Sequence, residues 1–295
     1  MASLSQWVAG ARPRTLPAAV APVVLGTAAA HLIGRADAAL GILALVVALA
    51  LQVGVNYAND YSDGIRGTDE ARVGPVRLVG QRLAAPGNVK LAALLSFAAA
   101  GVVGLALVGL SGAWVMLPLG ALAVLAAWRY TGGDNPYGYR GLGEVYVFVF
   151  FGLMATLGTQ YTQADAVTWF GLLGAVGVGS VASAILVANN LRDIPTDTVH
   201  GKHTLAVRLG DHGTRVAYQL AVATPFVVSA AIAIPATPWA LLGLVALPLA
   251  VGPVRAVRRG ALGRDLIPVL AGTGALLLGY SVALGLGLVL AAATA

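Results

Sequence analysis

The sequence predicts an all-α, polytopic membrane protein with nine transmembrane helices and a cytoplasmic N-terminus. Three observations predict it. Hydrophobic residues fill 58% of the 295 positions and charged residues only 10%, against roughly 25% charged in an ordinary soluble domain. Apolar runs near the length of a membrane span, about 20 residues, recur along the chain. The basic residues fall on alternate connections between those runs.

The nine spans cover roughly 15–33, 38–59, 89–110, 113–130, 142–161, 166–190, 214–234, 238–255 and 266–291. The first follows Arg12 and Arg14, as the core of a secretory signal would. Its apolar stretch, Leu16 to Ile33, exceeds the roughly 7–15 residues of such a core, so it reads as a retained span. Only Ser111 and Gly112 separate the third span from the fourth, which makes them a tight antiparallel pair. Pro22, Pro118, Pro225, Pro248 and Pro268 fall inside spans, where a bundle tolerates kinks. The 38 glycines let helices approach closely.

With the N-terminus inside, every Lys and Arg except Arg35 falls on the cytoplasmic side. This is a strong positive-inside pattern, and one span more or fewer would scramble it. The acidic residues share that side, except Asp37 and Asp165. Carboxylates and guanidiniums together suit a site for Mg²⁺ and an anionic substrate; the competing reading is surface ion pairing, which is worth little. The absence of cysteine excludes disulfides, thiolate metal sites and cysteine nucleophiles. The four histidines show no zinc-ligand spacing such as HExxH. The net charge of +6 has no basic, aromatic-interleaved soluble segment behind it, which argues against nucleic acid.

Two polar stretches interrupt the pattern. The second span runs into Asn56-Tyr-Ala-Asn-Asp-Tyr-Ser-Asp-Gly-Ile-Arg-Gly-Thr-Asp69. Steps of three and four place Asn56, Asn59, Asp60 and Asp63 on one helix face. Such a stripe at a membrane helix end is costly unless it binds something. Hard oxygen ligands suit Mg²⁺ that shares its shell with phosphate; a solvated helix end is the plain alternative. The sixth span ends in Asn189-Asn-Leu-Arg-Asp-Ile-Pro-Thr-Asp197, with Asn190 and Asp193 on one face. Pro195 separates the two aspartates, so Asp197 is expected past a kink. The offset of four spans suggests one domain over 1–295 built of two four-helix halves, about 15–130 and 142–255, plus a ninth helix. Each half would present an acidic end to a shared cavity, where metal ions can bridge a diphosphate and neutralise its departure.

Taken together these stretches resemble the UbiA superfamily of intramembrane aromatic prenyltransferases. The matching motifs are Asn59-Asp60-x-x-Asp63 and Asp193-x-x-x-Asp197. Many members carry their next Asp four residues after the position of Asp63, where this chain has Gly67; here Asp69 follows instead. That spacing is similar to the branch that prenylates 1,4-dihydroxy-2-naphthoate. So are Arg12-Pro-Arg-Thr-Leu-Pro17, Gly74-Pro-Val-Arg77, Tyr137-Gly-Tyr-Arg-Gly-Leu-Gly-Glu144, Asn189-Asn-Leu-Arg-Asp193 and Gly201-Lys-His-Thr-Leu-Ala-Val-Arg-Leu-Gly210. The resemblance implies a helical bundle in the cell membrane with a central cavity open to the cytoplasm. It implies Mg²⁺-dependent transfer of a polyprenyl group from polyprenyl diphosphate to the naphthoate, through an allylic cation. Diphosphate and carbon dioxide are lost, giving a demethylmenaquinol of menaquinone synthesis.

On that reading Asn59, Asp60, Asp63, Asp193 and Asp197 form the metal–diphosphate set, with the four aspartates as Mg²⁺ ligands. Asp69 is a more distant member. Arg72, Arg77, Arg192 and Lys202 are candidates for the diphosphate or the naphthoate carboxylate, and Arg12 and Arg129 are further ones; lipid headgroups compete for each. Asn56, Asn190 and Tyr139 join the substrate-binding set. Glu144 opens the fifth span, where a carboxylate either favours the helix N-terminus or deprotonates the ring. Tyr61, Tyr130, Tyr137, Tyr139 and Tyr146 lie near the same face, either as an interfacial belt or as a wall that steadies a cation. An acceptor such as homogentisate or 4-hydroxybenzoate is the nearer alternative. An ion-coupled transporter is the remoter one, against which the acids stand at helix ends and not at mid-membrane.

Overall fold

The computed structural model describes residues 2–67 and 76–294. Asp69 and Arg72 lie outside the described residues. Ten helices carry the architecture, and no strand occurs among the described residues. They are α1 (Leu4–Gly10), α2 (Pro17–Leu32), α3 (Ala38–Ile65), α4 (Pro86–Ser111) and α5 (Met116–Arg129). There follow α6 (Gly143–Ala164), α7 (Trp169–Val199), α8 (Leu205–Ala233), α9 (Pro238–Arg258) and α10 (Gly263–Thr294). Among the described residues seven helices are long and apolar enough to cross a membrane, and the segment Leu4–Thr15 with α2, bent by 47°, makes up to eight. The predicted fourth span is the short helix α5, whose 14 residues reach roughly 21 Å.

Helix ends follow local chemistry. Ser3 accepts from the Gln6 amide while the Gln6 side chain accepts from the Ser3 amide, a reciprocal N-terminal cap. Asp37, Thr168 and Thr204 cap α3, α7 and α8 in the simpler way. Gly112 takes the left-handed conformation (φ 72°) that ends α4 and turns the chain into α5. Pro195 does not end the helix. Helix α7 runs through it to Val199 and carries both Asp193 and Asp197. Helix α3 likewise keeps the whole acidic stripe helical, to Ile65.

The main core forms where α2, α7, α8, α9 and α10 meet, with Leu25, Leu191, Tyr218, Leu276 and Tyr280 buried. A second cluster joins α3 and α4 to the turn at 76–80 through Tyr57, Leu78, Val89 and Phe97. Helices α3 and α4 form one extensive antiparallel pair, and α7 and α8 another. Apolar side chains such as Val102, Leu122, Leu220 and Val227 face outward, as in a protein whose solvent is lipid. Helix α6 departs from regularity: Phe148–Met154 forms a π-helical stretch. Beside it α6 and α7 touch backbone to backbone. A Cβ on Gly152 would come 2.4 Å from the Gly179 Cα, so only glycine fits.

Candidate active site

A cavity of about 1180 Å³ lies inside the bundle. Most of its wall is apolar, from α2, α3, α4, α5 and α6, including Val23, Val47, Leu107, Val124 and Met154. One end is polar. There α3 supplies Asn56, Asn59 and Asp63, and α7 supplies Asn189, Asn190, Arg192 and Asp197. Arg12, Arg77, Tyr139 and Lys202 enter from the connections. The structure thus brings together residues from both acidic helix ends, as the offset of four spans predicts.

The stripe on α3 is nevertheless divided. Asp63 faces the cavity. Its Oδ1 accepts from the Tyr139 hydroxyl at 2.7 Å and stands 3.8 Å from the Lys202 Nζ. The Lys202 ammonium also lies 4.4 Å from the centre of the Tyr139 ring. Asn59 Oδ1 accepts from the Thr131 hydroxyl at 2.9 Å. Asn56 Nδ2 donates to the Ala11 carbonyl and to Thr15 Oγ1, both at 2.9 Å, tying the segment before α2 to α3. Asp60 is turned away from the cavity and is fully buried. Its two oxygens accept from the backbone amides of Leu78 (2.7 Å) and Val79 (3.1 Å). That turn carries Arg77 to the cavity wall. Asp60 therefore holds the turn that carries Arg77, and of the four residues of the stripe Asn56, Asn59 and Asp63 reach the cavity wall.

Helix α7 shows the same division. Asp197 lines the cavity, and its carbonyl accepts from the Lys202 amide at 2.8 Å, which closes the turn after the helix. Asp193 is buried behind the wall. Its carboxylate takes a two-point contact from Arg192, Nε to Oδ1 at 2.7 Å and Nη2 to Oδ2 at 2.9 Å. Arg192 itself reaches the cavity. Glu144 is also buried behind the wall, where its Oε1 accepts from Asn190 Nδ2 at 2.8 Å. Arg129 is absent from the cavity wall.

Of the two readings open for the tyrosines, the cavity wall describes four of them: Tyr130, Tyr137, Tyr139 and Tyr146 line the cavity with Phe150. Tyr137 and Tyr146 stack at 3.8 Å between centroids, flanked by Tyr130 and Phe150. The Tyr137 hydroxyl donates to the Ala126 carbonyl at 2.9 Å. Burial, and next to it Tyr146, pushes the Tyr137 phenol well above its ordinary pKa, so the ring stays neutral. Tyr61 stands apart and stacks on Trp128. The tryptophans Trp114, Trp169 and Trp239 face outward. The i, i+4 spacing of Tyr146 and Phe150 was the available signal for the wall. Arg66 and Thr131 were also missed. The Arg66 guanidinium lies over the Tyr139 ring at 5.5 Å and donates to the carbonyls of Thr131 and Gly133, bracing the loop that carries Tyr139.

Among the described residues no group of three or more His, Cys, Asp or Glu side chains is gathered closely enough to cage a metal ion. The donor set still fits Mg²⁺. Asp63 and Asp197 both face the cavity, with amides around them. Mg²⁺ is typically held by one or two carboxylates, substrate phosphates and water, and not by an all-protein cage.

The sequence model of the UbiA prenyltransferase family matches residues 19–266. The chain is 56% identical over 283 residues to the 1,4-dihydroxy-2-naphthoate octaprenyltransferase of Mycobacterium tuberculosis, covering 96% of each chain. It is 40% identical over 215 residues to the Escherichia coli protein of the same name, covering 71% of this chain and 70% of that one. In fold it is similar to a UbiA homologue from Aeropyrum pernix K1, with a TM-score of 0.66 at 14% identity over 98% of this chain and 99% of that one. It is also similar to a UbiA homologue from Archaeoglobus fulgidus bound to GPP and Mg²⁺, with a TM-score of 0.65 at 14% identity over 96% and 99% of the two chains.

Proposed function

The chain belongs to the UbiA prenyltransferase family, and we propose that it transfers a polyprenyl group from polyprenyl diphosphate to 1,4-dihydroxy-2-naphthoate in menaquinone synthesis. The observation that carries this reading is the cavity itself. It is apolar through most of its length and ends in Asp63, Asp197, Lys202, Arg77 and Arg192. A long isoprenoid tail matches the apolar part and a diphosphate the charged end.

The residues divide the work. Asp63 and Asp197, assisted by Asn59, are the groups that would hold Mg²⁺ on the diphosphate. Bound there, Mg²⁺ would neutralise charge on the leaving diphosphate. Lys202, Arg77 and Arg192 add charge-assisted hydrogen bonds to its oxygens. Asp60 and Asp193 position Arg77 and Arg192 respectively, a narrower role than metal ligation. The carbon–oxygen bond breaks with its electron pair leaving on the diphosphate, and the allylic carbon is left cationic. The tyrosine wall offers electron-rich, water-excluding surface to that cation. The naphthoate ring then forms the new carbon–carbon bond, and its carboxylate departs as carbon dioxide, returning an electron pair to the ring.

The same reading sets the topology. Helix α5 and the bent segment of α1 and α2 complete nine spans. The basic connections place the N-terminus and the polar end of the cavity in the cytoplasm, with the protein in the cell membrane. The two extensive helix pairs, α3 with α4 and α7 with α8, support two four-helix halves over about 15–130 and 142–255, followed by α10. The test is a panel of aromatic acceptors offered with radiolabelled polyprenyl diphosphate, with and without Mg²⁺. Prenylated, decarboxylated product from dihydroxynaphthoate alone is expected. Transfer to 4-hydroxybenzoate or homogentisate in its place would overturn the assignment.

A further inference from the structure

Asn189 and Asn190 are neighbours in sequence and are employed differently. Asn189 has both ends of its carboxamide engaged: Oδ1 accepts from Arg192 Nη2 at 2.8 Å, and Nδ2 faces Asp193 Oδ2 at 3.4 Å. Asn190 engages only its nitrogen. Nδ2 donates to Glu144 Oε1 at 2.8 Å, and Oδ1 has no partner among the described residues while the side chain lines the cavity. A carboxyl oxygen that faces an amide nitrogen accepts its hydrogen bond. Glu144 therefore selects one of the two amide orientations and leaves the Asn190 carbonyl oxygen for the cavity.

Glu144 is itself held in place. It is 7% exposed, and its backbone carbonyl accepts from the Ser183 hydroxyl at 3.1 Å. A Cβ on the preceding Gly143 would stand 3.1 Å from a Leu186 methyl and 3.3 Å from the Tyr130 ring, a tight fit. Ser183, Leu186 and Asn190 fall on one face of α7, so the first turn of α6 is locked against that face. Asn190 lies seven positions before Asp197, roughly 10 Å along α7 from the diphosphate end. A diphosphate presents only acceptor oxygens and has nothing to donate to a carbonyl. An aromatic diol has two hydroxyl donors.

We propose that Glu144 is a positioning residue that fixes the Asn190 carboxamide, and that Asn190 Oδ1 accepts a hydrogen bond from a ring hydroxyl of the aromatic acceptor. This rests on the prenyltransferase reading and adds where its acceptor is gripped.

The experiment separates acceptor from donor. In Glu144→Ala the KM for 1,4-dihydroxy-2-naphthoate rises about tenfold, the worth of one hydrogen bond. The KM for the polyprenyl diphosphate and the Mg²⁺ half-saturation stay within about twofold. Asn190→Asp alone sets two carboxylates against each other and raises the acceptor KM similarly. Adding Glu144→Gln to Asn190→Asp restores a donor facing a carboxylate and brings the acceptor KM back to within about threefold of wild type. Thermal unfolding in detergent monitors the fold; should Glu144→Ala not fold, the exchange pair decides. A double variant no better than Asn190→Asp alone overturns the proposal, as does a rise confined to the donor KM or the Mg²⁺ requirement. Wild-type protein that prenylates a different phenol sinks the functional reading, while that phenol's KM still tests the pair.

Discussion

Lys202 Nζ stands 3.8 Å from Asp63 Oδ1, and this pair joins the acidic end of α3 to the turn that leaves α7. The same turn is closed by the Lys202 amide on the Asp197 carbonyl. One residue therefore connects the two halves of the polar end through its backbone on one side and its side chain on the other. In Asp63→Asn, kcat should fall by roughly 10²–10³, the scale seen when a preorganised electrostatic group is removed. In Lys202→Met the larger change should appear in the KM for the polyprenyl diphosphate. Steady-state kinetics with each substrate varied checks both. Tyr139→Phe, which loses one hydrogen bond to Asp63, should cost only about tenfold.

Asp60 and Asp63 should fail differently. Asp60→Ala leaves the Leu78 and Val79 amides buried without an acceptor, at about 1–3 kcal/mol each. Its loss should therefore show as a lowered unfolding temperature in detergent, with activity falling through the misplaced Arg77. Asp63→Ala should keep the unfolding temperature and lose turnover. Equal unfolding temperatures for the two variants would contradict the structural role given to Asp60.

Chelation should stop turnover reversibly. With carboxylates on both helix ends and no protein cage around them among the described residues, any Mg²⁺ would be held largely by substrate phosphate. EDTA should abolish product formation, and excess Mg²⁺ should restore it in full. Undiminished turnover in EDTA would remove the metal from the mechanism.

The contact between α6 and α7 should tolerate nothing larger than glycine. Gly152→Val places a branched side chain where the first added carbon already meets the Gly179 Cα at 2.4 Å. The expected cost is about 1–3 kcal/mol, read as lost thermal stability and reduced yield in membranes.

Much of the fold was legible because lipid imposes one rule, that backbone polar groups be satisfied within a helix. The apolar runs accordingly located the long helices, and the ends of α2, α4 and α10 fall within about three residues of expectation. The misses share a cause. Helices α3 and α7 run on past their apolar runs to Ile65 and Val199, since their polar faces turn inward to a cavity, and hydropathy reads inward polarity as an end. Spacing pointed to Asn59, Asp63 and Asp197, which line the cavity. The division between Asp60 and Asp63 was not legible in spacing, because it depends on the 76–80 turn arriving from elsewhere in the chain. The tyrosine wall stayed one of two readings for the same reason: a tyrosine near a helix end looks alike whether it faces lipid headgroups or a cavity.

The π-helical stretch at Phe148–Met154 has a consequence for the length of α6. On one side of it Glu144 addresses α7 through Asn190, and on the other Gln163 addresses α2 through Thr27. A regular helix advances about 100° per residue, and a π turn takes up one residue more than an α turn. The stretch thus preserves the angular phase between two faces that serve different neighbours. Substitutions inside it change side chains and leave that phase alone. Deleting a single residue there would let α6 close as a regular helix with both faces still in phase, whereas deleting one elsewhere in α6 would turn Gln163 about 100° away from Thr27, so this segment is counted as well as spelled.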